Sequence, residues 1–232
     1  MSTPELDGPL ESGASFPSRL TARVVTPGER PRVHGYDVEG DLALYYQHSD
    51  LLFLLLMGEL PTPVVSRAFC VALMFLAPVS VAHASTHAAV VARLCGAPAS
   101  SEFGIAAIGA AEHARALVDE HAELFAWLRA PRVAFPERFR ARDAADRSAL
   151  ERLERALEAT GLAVPGLAQR PSRDAALLMV LFTVGFKRRE RLEAAIMLAR
   201  LPSGIAEALG ERPTNFANYP INLPRFAYTE SP

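Results

Sequence analysis

The sequence predicts an all-α protein. Three observations carry that expectation. Apolar residues recur at helical spacing through most of the chain. No stretch of any length alternates apolar and polar residues at the period of a strand. Glycine and proline fall mostly between the periodic segments rather than inside them.

The elements follow in order. Residues 1–22 are acidic and rich in Pro, Ser and Gly, and are expected to form a flexible arm. They lack the basic start and apolar core of a signal peptide. Residues 38–57 form one or two helices, ended by Gly58 and Pro61. The run LLFLLLM within them is too short to cross a bilayer, which takes ~20 apolar residues. It reads as a helix buried on most of its circumference. Residues 63–76 form another helix, with proline at its start, and residues 83–95 a further one, closed by Gly96 and Pro98.

The clearest amphipathic stretch is 107–129. Its apolar face carries His113, Ala114, Leu117, Val118, His121, Leu124, Phe125 and Leu128, and its polar face carries Glu112, Arg115, Asp119, Glu120 and Glu123. Residues 130–145 are irregular and arginine-rich. Ser148 and Glu151 make a capping box, Leu150, Leu153 and Leu157 the apolar stripe that follows, and Thr160-Gly161 its stop. Residues 174–184 are apolar all round and expected to be buried. Residues 189–209 form a helix or a pair, bent or interrupted at Pro202-Ser203-Gly204. The tail, rich in Pro, Asn and aromatics, reads as an extended arm over another surface, such as a partner subunit.

Composition sets further bounds. The 232 residues suit one large domain or two small ones. A net charge of −2 gives no reason to expect a nucleic-acid or membrane partner. Lys187 is the only lysine and sits in the charged run KRRER, which argues against Schiff-base chemistry. Cys70 and Cys95 stand in apolar helical contexts and read as reduced, buried thiols rather than a disulfide or metal motif. A cytoplasmic protein fits these features.

Four stretches, in order, resemble the citrate synthase superfamily. The first is HGYDVEGDLALYYQHSDLLFLLLMGELPT. The second is HASTHAAVVARLCGAP followed by GIAAIGA. The third is Arg173-Asp174-Ala-Ala leading through an apolar helix to VGF. The fourth is ARLPSGIAEALGER and, near the end, PRFAYT. VSVAHAST is similar to a stretch of the short citryl-CoA lyase-like branch. The resemblance implies a shortened two-domain helical fold that dimerises. The large domain would be 23–112 plus 193–232, with a C-terminal arm at 212–232, and the small domain 113–192. The active site would lie in the cleft between them. Members of the family join acetyl-CoA to a 2-oxo acid or split citryl-CoA. A CoA thioester would therefore be a substrate, with no permanently bound cofactor and no metal.

The resemblance also implies roles. Asp174 matches the family's catalytic aspartate, though an aspartate there also suits a helix N-cap. His83 and His113 are the candidates for hydrogen-bonding a thioester or acceptor oxygen. Arg200 matches a carboxylate-binding arginine, Arg225 the second arginine of a C-terminal motif, and Arg140 stands near the segment that normally carries the acceptor histidine. The departures are as informative. The glycines that normally surround the thioester histidine are replaced by Glu112, Ala114 and Arg115. No histidine follows His121, and Leu223 stands where the first C-terminal arginine is expected. His121 itself reads as a core residue. Three readings therefore stay open. The first is an acyltransferase or lyase with an altered site, acting on a CoA thioester and a 2-oxo or hydroxy acid. The second is an inactive pseudoenzyme that binds ligand, or pairs as a homodimer or with a full-length homologue. The third is a helical binding domain whose likeness is accidental.

Overall fold

The structure is a computed structural model that describes residues 22–130 and 134–213. Most of the C-terminal arm, including Arg225, lies outside the described residues. Helices dominate the rest, so the all-α expectation holds, with one addition. The chain divides into two compact units, Met1–Gln47 and His48–Pro232.

The described part of the first unit opens with a small antiparallel sheet of β1 (Val25–Thr26), β2 (Arg32–Val33) and β3 (Tyr36–Asp37), in that order. No strand is expected from the apolar pattern of the sequence. Strands of two residues are too short to show alternation. Their signal was the turn: His34 and Gly35 both take positive φ, 47° and 88°, and Val33 pairs with Tyr36 across them. Two such residues between paired strands make the hairpin loop whose twist matches that of the strands. Asp37 then ends the sheet and starts a helix. Its Oδ1 accepts from the Glu39 and Gly40 amides at 3.0 and 2.8 Å. Those bonds, the Gly40 one foremost, hold its carboxyl below the usual range. A π-helical turn, Val38–Leu42, runs into the short α1 (Ala43–Tyr45).

The second unit is built on α8 (Arg173–Thr183). Every residue from Ala175 to Leu181 is buried, as its all-apolar sequence predicts. Each fully buried Leu, Val or Met there contributes about 1.5–3 kcal/mol. Against α8 pack α3 (Pro63–Leu76) and α7 (Ala144–Glu158). α3 starts at Thr62, whose hydroxyl accepts from the Val65 amide, with proline at the first position. α7 starts earlier than its capping-box signal implied: Asp143 is the cap, accepting from the Asp146 amide at 2.7 Å. Leu150, Leu153 and Leu157 still form its buried stripe. α2 (His48–Met57) carries the LLFLLLM run. It is less enclosed than expected: Phe53 and Leu54 are buried, but Leu55 is 37% exposed. Phe53, Phe69 and Phe186 stack and edge against one another with centroids 5.2–5.6 Å apart.

The remaining long helices form a second layer. These are α4 (Ala84–Leu94), α5 (Ala99–Glu120) and α9 (Arg189–Gly210), which pack mutually. Small residues let them approach. A Cβ on Gly109 of α5 would stand 2.6 Å from the Ser85 Cα of α4, closer than real atoms come. α9 runs unbroken through Pro202. The 107–129 stretch is two helices, not one. α5 ends at His121 and α6 (Ala122–Arg129) begins there. His121 is buried, as expected: its Nδ1 donates to the Leu117 carbonyl at 2.8 Å and its ring stacks on Phe139. Both cysteines are free, but neither is buried as expected: Cys70 in α3 is half-buried, and Cys95, just past the end of α4, is exposed.

Candidate functional site

The site forms where the start of α4, the last turns of α5 and the first turn of α8 converge. Their side chains wall a cleft of about 530 Å³ that includes His83, Ser85, Glu112, His113, Glu120 and Asp174. Each is placed by local structure. His83 is the cap residue of α4, with extended backbone and no side-chain capping bond, so its ring is left for other contacts. Asp174 lies in the first turn of α8. The N-cap role that its position allowed belongs to Ser172, whose hydroxyl accepts from the Ala175 amide. The carboxylate of Asp174 is thus free of capping duty and sits where the helix dipole favours negative charge.

The two histidines meet. The rings of His83 and His113 stack with centroids 3.7 Å apart and planes 20° from parallel. Behind His113 lies Arg200 of α9, 8% exposed, with Nη1 within 2.8 Å of Nε2 and 3.1 Å of Nδ1. A guanidinium can only donate, so His113 accepts. Its environment matches that role. Burial, then the Arg200 charge, then His83 push its pKa down from 6.5 to about 4. His113 is therefore neutral at pH 7, accepting on one ring nitrogen and carrying its N–H on the other. Burial also lowers the pKa of Arg200, while the Asp174 charge opposes that shift. Its Nε is buried without a hydrogen-bond partner among the described residues.

The shifted histidine makes a measurable difference to stability. The unfolded chain takes up a proton near pH 6.5 that folded His113 refuses until about pH 4. Its contribution is complete above pH 6.5 and is lost as pH falls through that window. Screening by the open cleft reduces the effect to about 1–2 kcal/mol. Denaturant unfolding at several pH values should show His113→Gln losing less stability than the parent between pH 6.5 and 4. Equal slopes would mean that the folded ring titrates normally.

Of the residues expected from sequence, His83, His113 and Asp174 share the cleft, and Arg200 backs it. Arg140 is not in its wall. Its Nε pairs with Glu137 at 2.8 Å and its Nη1 donates to the Gln169 carbonyl at 2.6 Å, which ties two loops together. Sequence reasoning missed Glu120, which was set on the face opposite His113. Seven residues span nearly two full turns, so Glu120 points the same way as His113. Glu112, also set on the far face, stands at the edge of the same wall and pairs outward with Arg115 at 2.8 Å.

No family model and no curated protein sequence matches the chain. Solved structures do. Citryl-CoA lyase from Hydrogenobacter thermophilus is 19% identical over 92% of this chain and 95% of its own, with a TM-score of 0.62. ATP citrate lyase from Methanothrix soehngenii, in complex with citrate and coenzyme A, is 15% identical over 94% of this chain, with a TM-score of 0.54. A variant of the Methanosaeta concilii ATP citrate lyase, in complex with (3S)-citryl-CoA, gives 15% and 0.56. This chain spans 43% of the length of either ATP citrate lyase. The likeness read from the four sequence stretches thus holds in three dimensions, and the chain has the citrate synthase-like helical fold of these lyases.

Proposed function

We propose that the chain forms or breaks a C–C bond next to a CoA thioester, with a 2-oxo or hydroxy acid as the other reactant. One observation carries the reading: His83 and His113, from the consecutive helices α4 and α5, and Asp174, from the distant α8, meet at one cleft backed by buried Arg200. Asp174 is the base that takes a proton from the carbon beside the thioester. That carbon is weakly acidic, so base and oxygen donor must act together. The N–H of neutral His113, or that of His83, supplies the hydrogen bond to the forming enolate oxygen. An imidazole held neutral by its surroundings is a suitable electrophile. Arg200 acts from behind the wall, donating from Nη1 to the His113 ring and so fixing its orientation towards the cleft. No helix among the described residues is long and apolar enough to cross a membrane. The reading includes the two-domain division expected from sequence and a dimer, either of two copies or with a full-length homologue.

The test is exchange of the acetyl-CoA methyl protons with deuterated water, followed by mass spectrometry. Protein-dependent exchange supports the reading. Binding of acetyl-CoA without any exchange overturns it. That second outcome favours an inactive partner subunit, which one observation already supports: Arg200 donates to His113 rather than standing in the cleft wall.

A further inference from the structure

We propose that Arg173 is a positioning residue for Asp174, mooring the first turn of α8 to the end of α3. The inference rests on the reading that Asp174 acts as a base. The last carbonyls of a helix lack partners within it and carry its negative pole, so a cation that donates there is favoured twice. α3 receives one. Half-buried Arg173 donates its Nη2 to the Phe75 carbonyl at 2.7 Å, in the last turn of that helix. Ser203 of α9, one turn past Arg200, donates its hydroxyl to the Ala77 carbonyl at 2.7 Å. From Ala77 the chain runs on to His83 at the start of α4. The end of α3 thus gathers the neighbours of Asp174 and Arg200, and leads into the loop that delivers His83.

Two backbone bonds on the same turn go to other elements. The Ser172 amide donates to the Phe139 carbonyl at 2.6 Å, and the Arg173 amide to Asp146 Oδ1 of α7 at 3.2 Å. These tie Asp174 to α7 and to the loop before it. The Arg173 side chain ties it to the element that feeds His83. A base and a hydrogen-bond donor that act together need a fixed spacing, and a misplacement of ~1 Å can cost about 100-fold in rate. Apolar packing of α8 on α3 holds the two helices together but is not directional. A charged hydrogen bond is, so it also fixes the angle of the turn.

The test compares Arg173→Met, which keeps an unbranched apolar stem and removes the donors, with Arg173→Lys, which restores a charged donor. Arg152→Met is the control. Arg152 lines the same groove as Arg173 but donates to Ser148 Oγ at 2.7 Å, so its loss removes a nearby charge and leaves the bond to α3 in place. Deuterium uptake by the amides of residues 172–176, read by mass spectrometry, is expected to be about tenfold faster in Arg173→Met and close to the parent in the other two. The maximal rate of acetyl-CoA proton exchange should fall about 10- to 100-fold in Arg173→Met, with half-saturating acetyl-CoA unchanged, and Arg173→Lys should recover most of it. Uptake at the parent rate in Arg173→Met overturns the proposal. So does an equal effect in Arg152→Met, which would make charge alone the cause, or a loosened turn with an unchanged maximal rate. A parent that exchanges no acetyl-CoA protons sinks the catalytic reading alone, and the uptake ranking then still upholds or overturns the mooring.

Discussion

Asp174→Asn is expected to slow acetyl-CoA proton exchange by about 10²- to 10⁴-fold, the usual contribution of a positioned base. The substitution keeps the size and the hydrogen-bonding reach of the side chain but removes its basicity. It should cost little stability. Ser172, not Asp174, caps α8, so the first turn keeps its hydroxyl-to-amide bond. What is lost locally is the favourable placement of a charge near a helix N-terminus, about 0.3–1 kcal/mol, and a counter-charge for Arg200. Acetyl-CoA affinity should be nearly unchanged, because the base acts on the proton in flight rather than on the bound thioester. If Asp174→Asn exchanges within about tenfold of the parent, another group is the base.

Gly109→Ala is expected to lower the melting temperature by about 3–10 °C. The added Cβ would stand 2.6 Å from the Ser85 Cα and 2.7 Å from its Cβ. A backbone carbon cannot swing aside as a side-chain tip can, so α4 and α5 must separate. Overpacking of this kind costs about 1–3 kcal/mol, and each kcal/mol is worth about 2–4 °C in a chain of this size. Gly104→Ala on the same helix is the control. Nothing lies within 4 Å of a Cβ there, so the change should stabilise α5 by up to about 1 kcal/mol. The Gly109 substitution should also disturb the site, since Ser85 and Gly109 both line the cleft, His83 stands at the start of α4 and His113 is one turn along α5. Melting of Gly109→Ala at the parent temperature would mean that the two helices are not held in contact.

What was legible in the sequence was mostly local. Pro63 announced α3, and the all-apolar run 174–184 announced the buried helix. Where two signals of the same chemistry competed, the earlier one won: Asp143 caps α7, and Ser148 sits a turn inside it. The small sheet was hidden because only its turn residues, His34 and Gly35, carry information. The site was half legible. His113 and Asp174 were found through resemblance, and Glu120 was within reach of helical arithmetic. The Arg200–His113 contact was not. It joins residues 87 apart, and no local spacing reports a pairing made by the packing of α5 on α9.

The face-to-face imidazoles give the molecule a reporter of its own. Each ring of the His83–His113 pair lies in the magnetic shadow of the other at 3.7 Å, so their carbon-bound protons should resonate away from ordinary histidine positions. The chain has only six histidines, so the spectrum is sparse enough to assign with single substitutions. A molecule that enters the cleft and wedges the rings apart would move these two sets of lines together. One that settles elsewhere on the surface would leave them still.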